Sequence, residues 1–459
     1  MPNNCPRKVV LLSLQAIALL LLVFSLSSCV SSLKNQSNVD VMASTSQYEQ
    51  ALAILNSNPR AYGGNNELLY LLDKGLIEHY NARYAESVET FAAAQAKFDE
   101  FYTKSVSKIG LTWLINDLAA PYRGEDFEYV FINIFQALNY LMLGKYEDAL
   151  VEARDVDSKL GAVNNQYEAD QKNVYKEDAF ARLLMGIIYE AEKTPQDCND
   201  AYISYVKAET IYEADYKNNY GVTMPGVLRE NILTMARFMG IPEFGKYRDK
   251  FKNTGFFSLK EKEQKAEVYL IQYNGLCPQK VEDTLLLPLP DGHIVKIAFP
   301  RYQERGYSIA SSRILAKNKQ GEVFHANTEI GQRIGSIAVK NLERRKIRFI
   351  AKSTARAASR YLVEKKQTEN IKKKKGTGVA AWFQFFSNIY NMLVERADTR
   401  SWQTLPDQIR IARLLLEPGE YELQLENFNA GGSLLCESNL GKVLVGAGQK
   451  RFMLVHTAR

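Results

Sequence analysis

The sequence predicts an α+β, multidomain chain. A repeat-like helical domain over 48–258 precedes a small antiparallel β-sandwich or barrel domain over 264–459, which carries an inserted helical hairpin at about 330–397. Three observations predict this. Apolar residues recur at helical spacing from Tyr48 to Phe251, with abundant Ala, Leu and Tyr. From Lys265 the period shortens to that of strands, with glycine-bearing turns between apolar runs. Between two groups of strands lies a long basic segment, followed by the uncharged stretch Gly376 to Val394.

The chain opens with Arg7 and Lys8, then an apolar run from Val9 to Leu26 broken only by Ser13, Gln15 and Ser25. Leu26-Ser27-Ser28-Cys29 follows. Charge, apolar core and small residues in that order make an export signal over 1–28. The alternative is an uncleaved anchor, because the run is near the spanning limit. The four residues at the end resemble the lipobox of bacterial lipoproteins, in which the thiol, here Cys29, is alkylated with diacylglycerol and the peptide is cut before it. The lipid would be the membrane tether. Val30 stands where an Asp would resemble an inner-membrane retention signal, so the expected location is the outer membrane, facing the periplasm. Residues 29–47 are rich in Ser, Asn and Gln and read as a flexible tether.

Within the helical part, Leu71, Gly75, Tyr84, Phe91 and Ala94 follow a pattern in which a small residue admits a second helix and an aromatic fills the gap. Ala137, Tyr140, Gly144, Tyr146 and Ala149 repeat it, and so do Gly186, Tyr189, Ala201, Tyr205 and Ala208 around an enlarged turn at Lys193 to Asp197. The spacings resemble the tetratricopeptide helix–turn–helix. A helix from Val227 to Met239 would cap the stack. The copies are unevenly spaced, with Ile109 to Glu128 reading as an inserted loop and short helix, so a plain helical bundle is the alternative. Stacked helical hairpins form grooves that take peptides and proteins.

The C-terminal strands are expected at Ala266–Tyr273, Val281–Leu287, His293–Phe299, Tyr307–Ala316, Ile409–Leu416, Glu420–Leu425, Gly441–Val445 and Arg451–His456. Asn274-Gly275, Asp291-Gly292 and Pro418-Gly419 are turn signals. In the insertion, Ser336 to Lys366 reads as a basic helix, Lys372 to Lys375 as a charged break, and the uncharged stretch as an aromatic helix. Arg344, Arg345, Lys346, Lys372, Lys373, Lys374, Lys375, Trp382, Phe383 and Phe386 are candidates for contact with an anionic lipid, lipopolysaccharide or a protein partner. The alternative is that the aromatics pack on the sheet while Gln384, Asn388 and Asn391 face out.

Net charge is +6, concentrated in 301–375, where 20 Lys and Arg face 6 Asp and Glu. In an exported chain this excludes nucleic acid as the expected partner. Cys198, Cys277 and Cys436 cannot all pair internally, so one disulfide or three thiols remain. His79, His293, His325 and His456 lack metal-ligand spacing. No G-x-S-x-G elbow or phosphate loop occurs, and Gly446-Ala447-Gly448 precedes a strand. Asp155 and Asp157 read as solvated, His79 as a packing residue, and Glu125, Asp126 and Glu128 as acids favoured by a helix N-terminus. No catalytic residue, metal or cofactor is expected.

Three stretches resemble a poorly characterised family of proteobacterial outer-membrane lipoproteins: Pro121–Arg154, Val268–Pro300 and Ala397–Leu423. The resemblance implies tetratricopeptide-like helices followed by a β domain, with no established activity. It implies a non-enzymatic periplasmic scaffold for envelope protein partners, or alternatively a regulator or binder of peptidoglycan synthesis machinery. Its most distinctive string is Ala397-Asp398-Thr399-Arg400-Ser401-Trp402. There Asp398 and Arg400 would pair and Trp402 would anchor the return to the sheet, a structural corner.

Overall fold

The computed structural model describes residues 36–103, 118, 120–165 and 175–458. The export signal, Cys29 and Val30 lie outside the described residues, as does most of the stretch between Ile109 and residue 118.

The expected tether is cut short by structure. Residues 36–44 form a helix, α1, with Val39 and Ala43 fully buried. Asp40 pairs with Arg305 at 2.6 Å, and Gln36 donates to the Ser401 carbonyl at 3.0 Å. Composition conceals this docking, because two apolar residues one helical turn apart are enough to seat a short polar helix.

Helix α2 (Tyr48–Ser57) leads into three antiparallel pairs. They are α3 (Glu67–Tyr80) with α4 (Tyr84–Thr103), α5 (Asp126–Met142) with α6 (Tyr146–Asn165), and α7 (Ala179–Glu192) with α8 (Pro195–Ile211). Two of the expected small-residue seats are real. A Cβ on Gly75 would stand 2.7 Å from the Phe91 ring, and one on Gly186 would stand 2.3 Å from the Tyr205 ring. Thr194 caps α8, accepting from the Asp197 N–H at 3.1 Å, with Pro195 in the first turn. A π-helical stretch, Tyr212–Tyr220, turns Tyr212, Tyr216 and Tyr220 inward, and the Tyr212 hydroxyl donates to the Gly331 carbonyl at 2.8 Å. Helices α9 (Gly226–Met239), α10 (Ile241–Lys250) and α11 (Leu259–Gln264) complete this part.

Ten strands follow among the described residues: β1 (Ala266–Asn274), β2 (Gln279–Pro288), β3 (Ile294–Gln303), β4 (Ser311–Asn318), β5 (Val323–Asn327), β6 (Glu329–Arg333), β7 (Gln408–Leu416), β8 (Gly419–Phe428), β9 (Leu434–Val445) and β10 (Lys450–Thr457). One sheet has the order β10-β1-β7-β6, a second β5-β4-β8-β9, and β2 with β3 forms a separate ribbon. The sandwich is therefore mixed rather than antiparallel, because β10 pairs in parallel with β1. Strands β5 and β6 escaped the sequence reading: they are five residues each and bracket a single connecting residue, Thr328. Pro418-Gly419 is not a hairpin turn but the crossing from one sheet to the other, since β7 and β8 belong to different sheets.

Strand β1 explains the layering. Its residues alternate faces. Tyr269, Ile271 and Tyr273 pack with the helices in one continuous core, which also takes Ile409, Ile411 and Phe452. Ala266, Val268 and Leu270 face the second sheet with Ile314, Leu423 and Leu425. The result is three layers, helices on sheet on sheet, with β1 buried along its whole length.

The insertion is an arm. Helix α12 (Ile334–Lys375) runs 42 residues, about 60 Å at the standard rise, and α13 (Thr377–Val394) returns along it. Lys372 to Lys375 are not a break but the last turn of α12, where cations suit the helix C-terminus.

Candidate functional site

The distinctive string lies at a junction. Asp398 and Arg400 pair at 2.7 Å, as expected. Arg400 also donates to Asn66 Oδ1 and to the Ala120 carbonyl, each at 3.0 Å. Trp402 does not anchor the return to the sheet. Its ring sits among helices, 5.8 Å from Phe91 and 5.9 Å from Phe135, and is almost fully buried. The physical reason is that the aromatic rings that receive it, Phe91 and Phe135, belong to helices α4 and α5.

Beneath Trp402 lie acids that the sequence reading attributed to the helix dipole alone. Glu128 accepts from the Trp402 N–H at 2.7 Å, the Tyr122 hydroxyl at 2.6 Å and the Glu125 N–H at 2.9 Å. Burial, with the charge of Glu125 next, raises its carboxyl to about 7. Burial also pushes Glu125 up, but Arg345 and Lys280 outweigh it and hold that carboxyl at about 2. Arg345, expected as an outward contact, is thus spent on tying α12 to the start of α5. Asp157 is likewise not simply solvated, since it pairs with Arg182.

A second buried cluster joins helices to sheet. Glu190 of α7, Lys262 of α11, Glu267 of β1 and Lys450 of β10 alternate in sign, with Lys262–Glu267 at 3.0 Å and Lys450–Glu190 at 3.1 Å. Arg413 adds a contact to Glu267 at 3.0 Å. Against burial, pairing lowers Glu267 well below the carboxylate range and raises Lys450. Burial pulls Lys262 down. Glu190, Lys262, Glu267 and Lys450 border a cavity of about 420 Å³ whose other walls include Cys198, Phe238 and Leu259.

Burial also shifts two thiols and two imidazoles. Burial raises the thiols Cys198 and Cys277, which disfavours the nucleophilic thiolate. Burial lowers His79 to about 4 and His456 to about 3, so neither exchanges protons near neutrality. His79 is a packing residue with both nitrogens engaged, Nδ1 to Asn139 at 2.6 Å and Nε2 to Tyr273 at 2.7 Å. Cys198, Cys277 and Cys436 are free. Among the described residues no group of three or more His, Cys, Asp or Glu is placed to hold a metal.

The arm carries the remaining candidates, and its aromatic helix is inside out. The polar side chains face inward. Gln384 donates to the Asp291 carbonyl at 2.7 Å, Asn388 to the Gly292 carbonyl at 3.0 Å, and Asn391 to Glu364 at 2.7 Å. Glu395, at the end of α13, is buried against Ser353 at 2.8 Å, Arg356 at 3.0 Å and Arg360 at 2.8 Å. The apolar side chains face outward: Trp382 is 64% exposed, Phe386 61% and Phe385 53%. The expected alternative, aromatics packed on the sheet and amides outward, is therefore reversed. The amides satisfy the backbone of the β2–β3 turn, which apolar groups could not do.

Val379, Trp382, Phe386, Tyr390 and Leu393 make one outward stripe at three- and four-residue steps. That spacing is readable in the sequence, but which face is buried is not. Trp382, Phe385 and Phe386 touch each other, with centroids 5.6 to 6.0 Å apart. Phe383 is half-buried, and Arg344, Lys346 and Lys372 to Lys375 are exposed. Leu285, Leu286 and Leu287 of the ribbon add further exposed apolar surface.

No known protein family matches the chain, and no curated protein matches it. Among solved structures it is similar to MamA MSR-1 C2, at 12% identity over 49% of this chain and 99% of that one, with a TM-score of 0.28. A score that low does not establish a shared fold.

Proposed function

We propose that this chain is a membrane-tethered, non-enzymatic scaffold that holds protein partners at the periplasmic face of the outer membrane during envelope assembly. One observation carries the reading. The chain exposes large apolar side chains on its helical pairs, with Val151 and Ile203 more than half exposed, as well as on a braced arm, while its buried ionisable groups are engaged in holding the layers together. Exposed apolar surface of that kind marks an interaction site. The lipobox resemblance supports attachment through Cys29.

The test has two parts. Labelled palmitate should enter the chain and be lost in Cys29→Ala. Photo-crosslinking residues at Val151 and Ile203, in membranes, should give discrete protein adducts. No adduct at either position would remove the scaffold reading.

A further inference from the structure

We propose that the arm lies on an anionic lipid surface, with α13 in the plane of the headgroups, its aromatic stripe in the acyl boundary and Lys372 to Lys375 on phosphates. This rests on the reading that the outward face of α13 is an interaction surface.

Four features choose the occupant. Helix α13 has 18 residues and none is charged, and its two faces are separated as in an interfacial helix. The outward residues include Trp382 and Tyr390, side chains suited to the headgroup level. The charge directly before α13 is of one sign, with four lysines closing α12 ahead of Gly376, while Glu395 on the other side is buried in ion pairs with Arg356 and Arg360. Tyr361 reaches Asp291 at the ribbon turn with a 2.8 Å hydrogen bond, so the remainder of α12 extends roughly 20 Å past that turn. The lysines therefore stand clear of the body.

A second copy of the chain fits less well. Arm against arm would bring two basic α12 helices together, and like charges repel. Crossing the bilayer is also excluded for this segment: among the described residues no helix is long and apolar enough to cross a membrane. The inward amides and their bonds to the β2–β3 turn hold α13 on its side, which suits lying in the interface rather than spanning it.

Trp382 supplies the readout. The full chain would be reconstituted into vesicles of phosphatidylglycerol and phosphatidylcholine with brominated acyl chains, alongside W382F as the background. The expected result is quenching of the Trp382 component. The effect should be weak in phosphatidylcholine alone and should fall on the order of tenfold when Lys372 to Lys375 are all changed to Gln, since each lysine near an anionic surface contributes to attraction. Equal emission from wild type in brominated and plain vesicles overturns the proposal. So does equal quenching with and without phosphatidylglycerol. A concentration-dependent blue shift of Trp382 without vesicles assigns the face to a second copy instead. A crosslinker at Phe386 that captures protein rather than lipid assigns it to a protein partner. The Val151 and Ile203 crosslinks report on the scaffold reading separately, so the two can fail independently.

Discussion

The backbone N–H of Trp402 donates to the Glu128 carboxylate at 2.7 Å, across 274 residues of chain. The bond joins the segment that returns from the arm to the first turn of α5. It also leaves the Trp402 ring wedged between Phe91 and Phe135. The segment returning from the arm and the helices α4 and α5 therefore meet at one aromatic side chain.

Trp402→Ala should cost about 3–5 kcal/mol, the range for emptying a large buried aromatic site. Urea unfolding followed by circular dichroism would measure it. A loss below about 1 kcal/mol would mean that the wedge is not a joint. Glu128→Gln should cost less, because Gln still accepts from the Trp402 N–H.

Gly186→Ala should destabilise by about 1–3 kcal/mol, because the new methyl would press on the Tyr205 ring. Gly144→Ala has nothing within 4 Å to meet but sits at φ +73°, so its cost is the backbone term of about 1 kcal/mol. Thermal melts of the pair separate close packing from turn geometry. Equal losses would show that the approach of α7 to α8 is not limited by this glycine.

Lys450→Ala should destabilise by about 3–5 kcal/mol, because it removes one of the counter-charges of the buried Glu190 and Glu267 and leaves Glu190 with Lys262 alone, which it shares with Glu267. Adding Glu190→Gln should recover part of the loss. A double-mutant cycle on unfolding midpoints checks this, and strict additivity of the two changes would contradict the coupling.

Asp73 gives a pH signature. Burial raises its carboxyl to about 7, although Thr404 and Tyr62 donate to it. A raised carboxyl keeps its proton in the folded state longer than in the unfolded one. Its stabilisation is complete below the unfolded value near 4 and is lost as pH rises through about 7. Asp73→Asn should flatten stability across that window. Chemical denaturation at intervals from pH 4 to 8 would detect it, and parallel curves for the two proteins would refute the assignment.

His79 acts with the opposite sign. Burial lowers it to about 4, so the folded state keeps it neutral while the unfolded chain protonates near 6.5. Its contribution is complete above pH 6.5 and is lost as pH falls through about 4. His79→Gln should lessen acid sensitivity in that range. Amide exchange of α3 against pH would show whether the effect is local.

Much of the framework was legible. Gly75 with Phe91 and Gly186 with Tyr205 mark close helix pairs because only a missing side chain admits a ring at that distance. The switch from helical to strand period near Ala266 was readable because β1 carries a short run of β-branched and aromatic residues, Val268, Tyr269, Ile271 and Tyr273, closed by the turn signal Asn274-Gly275. The sheets were less legible. Parallel pairing of β10 with β1 joins residues far apart in sequence, where no turn signal fixes the register. Glu125 and Glu128 looked like ordinary helix-start acids, because their partners Lys280, Arg345 and Trp402 arrive from other elements. The orientation of α13 was hidden for a similar reason: its spacing defines two faces, and only the unpaired backbone of the β2–β3 turn decides that the amides go inward.

Strand β10 brings a temporal consequence. It lies beside β1, the strand that both layers share, and it carries the lysine that neutralises Glu190 in the seventh helix. Until that strand arrives, Glu190 and Glu267 lack one of their counter-charges and β1 has an open edge. A chain cut short before residue 450 would therefore be damaged in its oldest-synthesised half as well as its newest. The presence of β10 is thus felt in both layers at once, far from the strand itself.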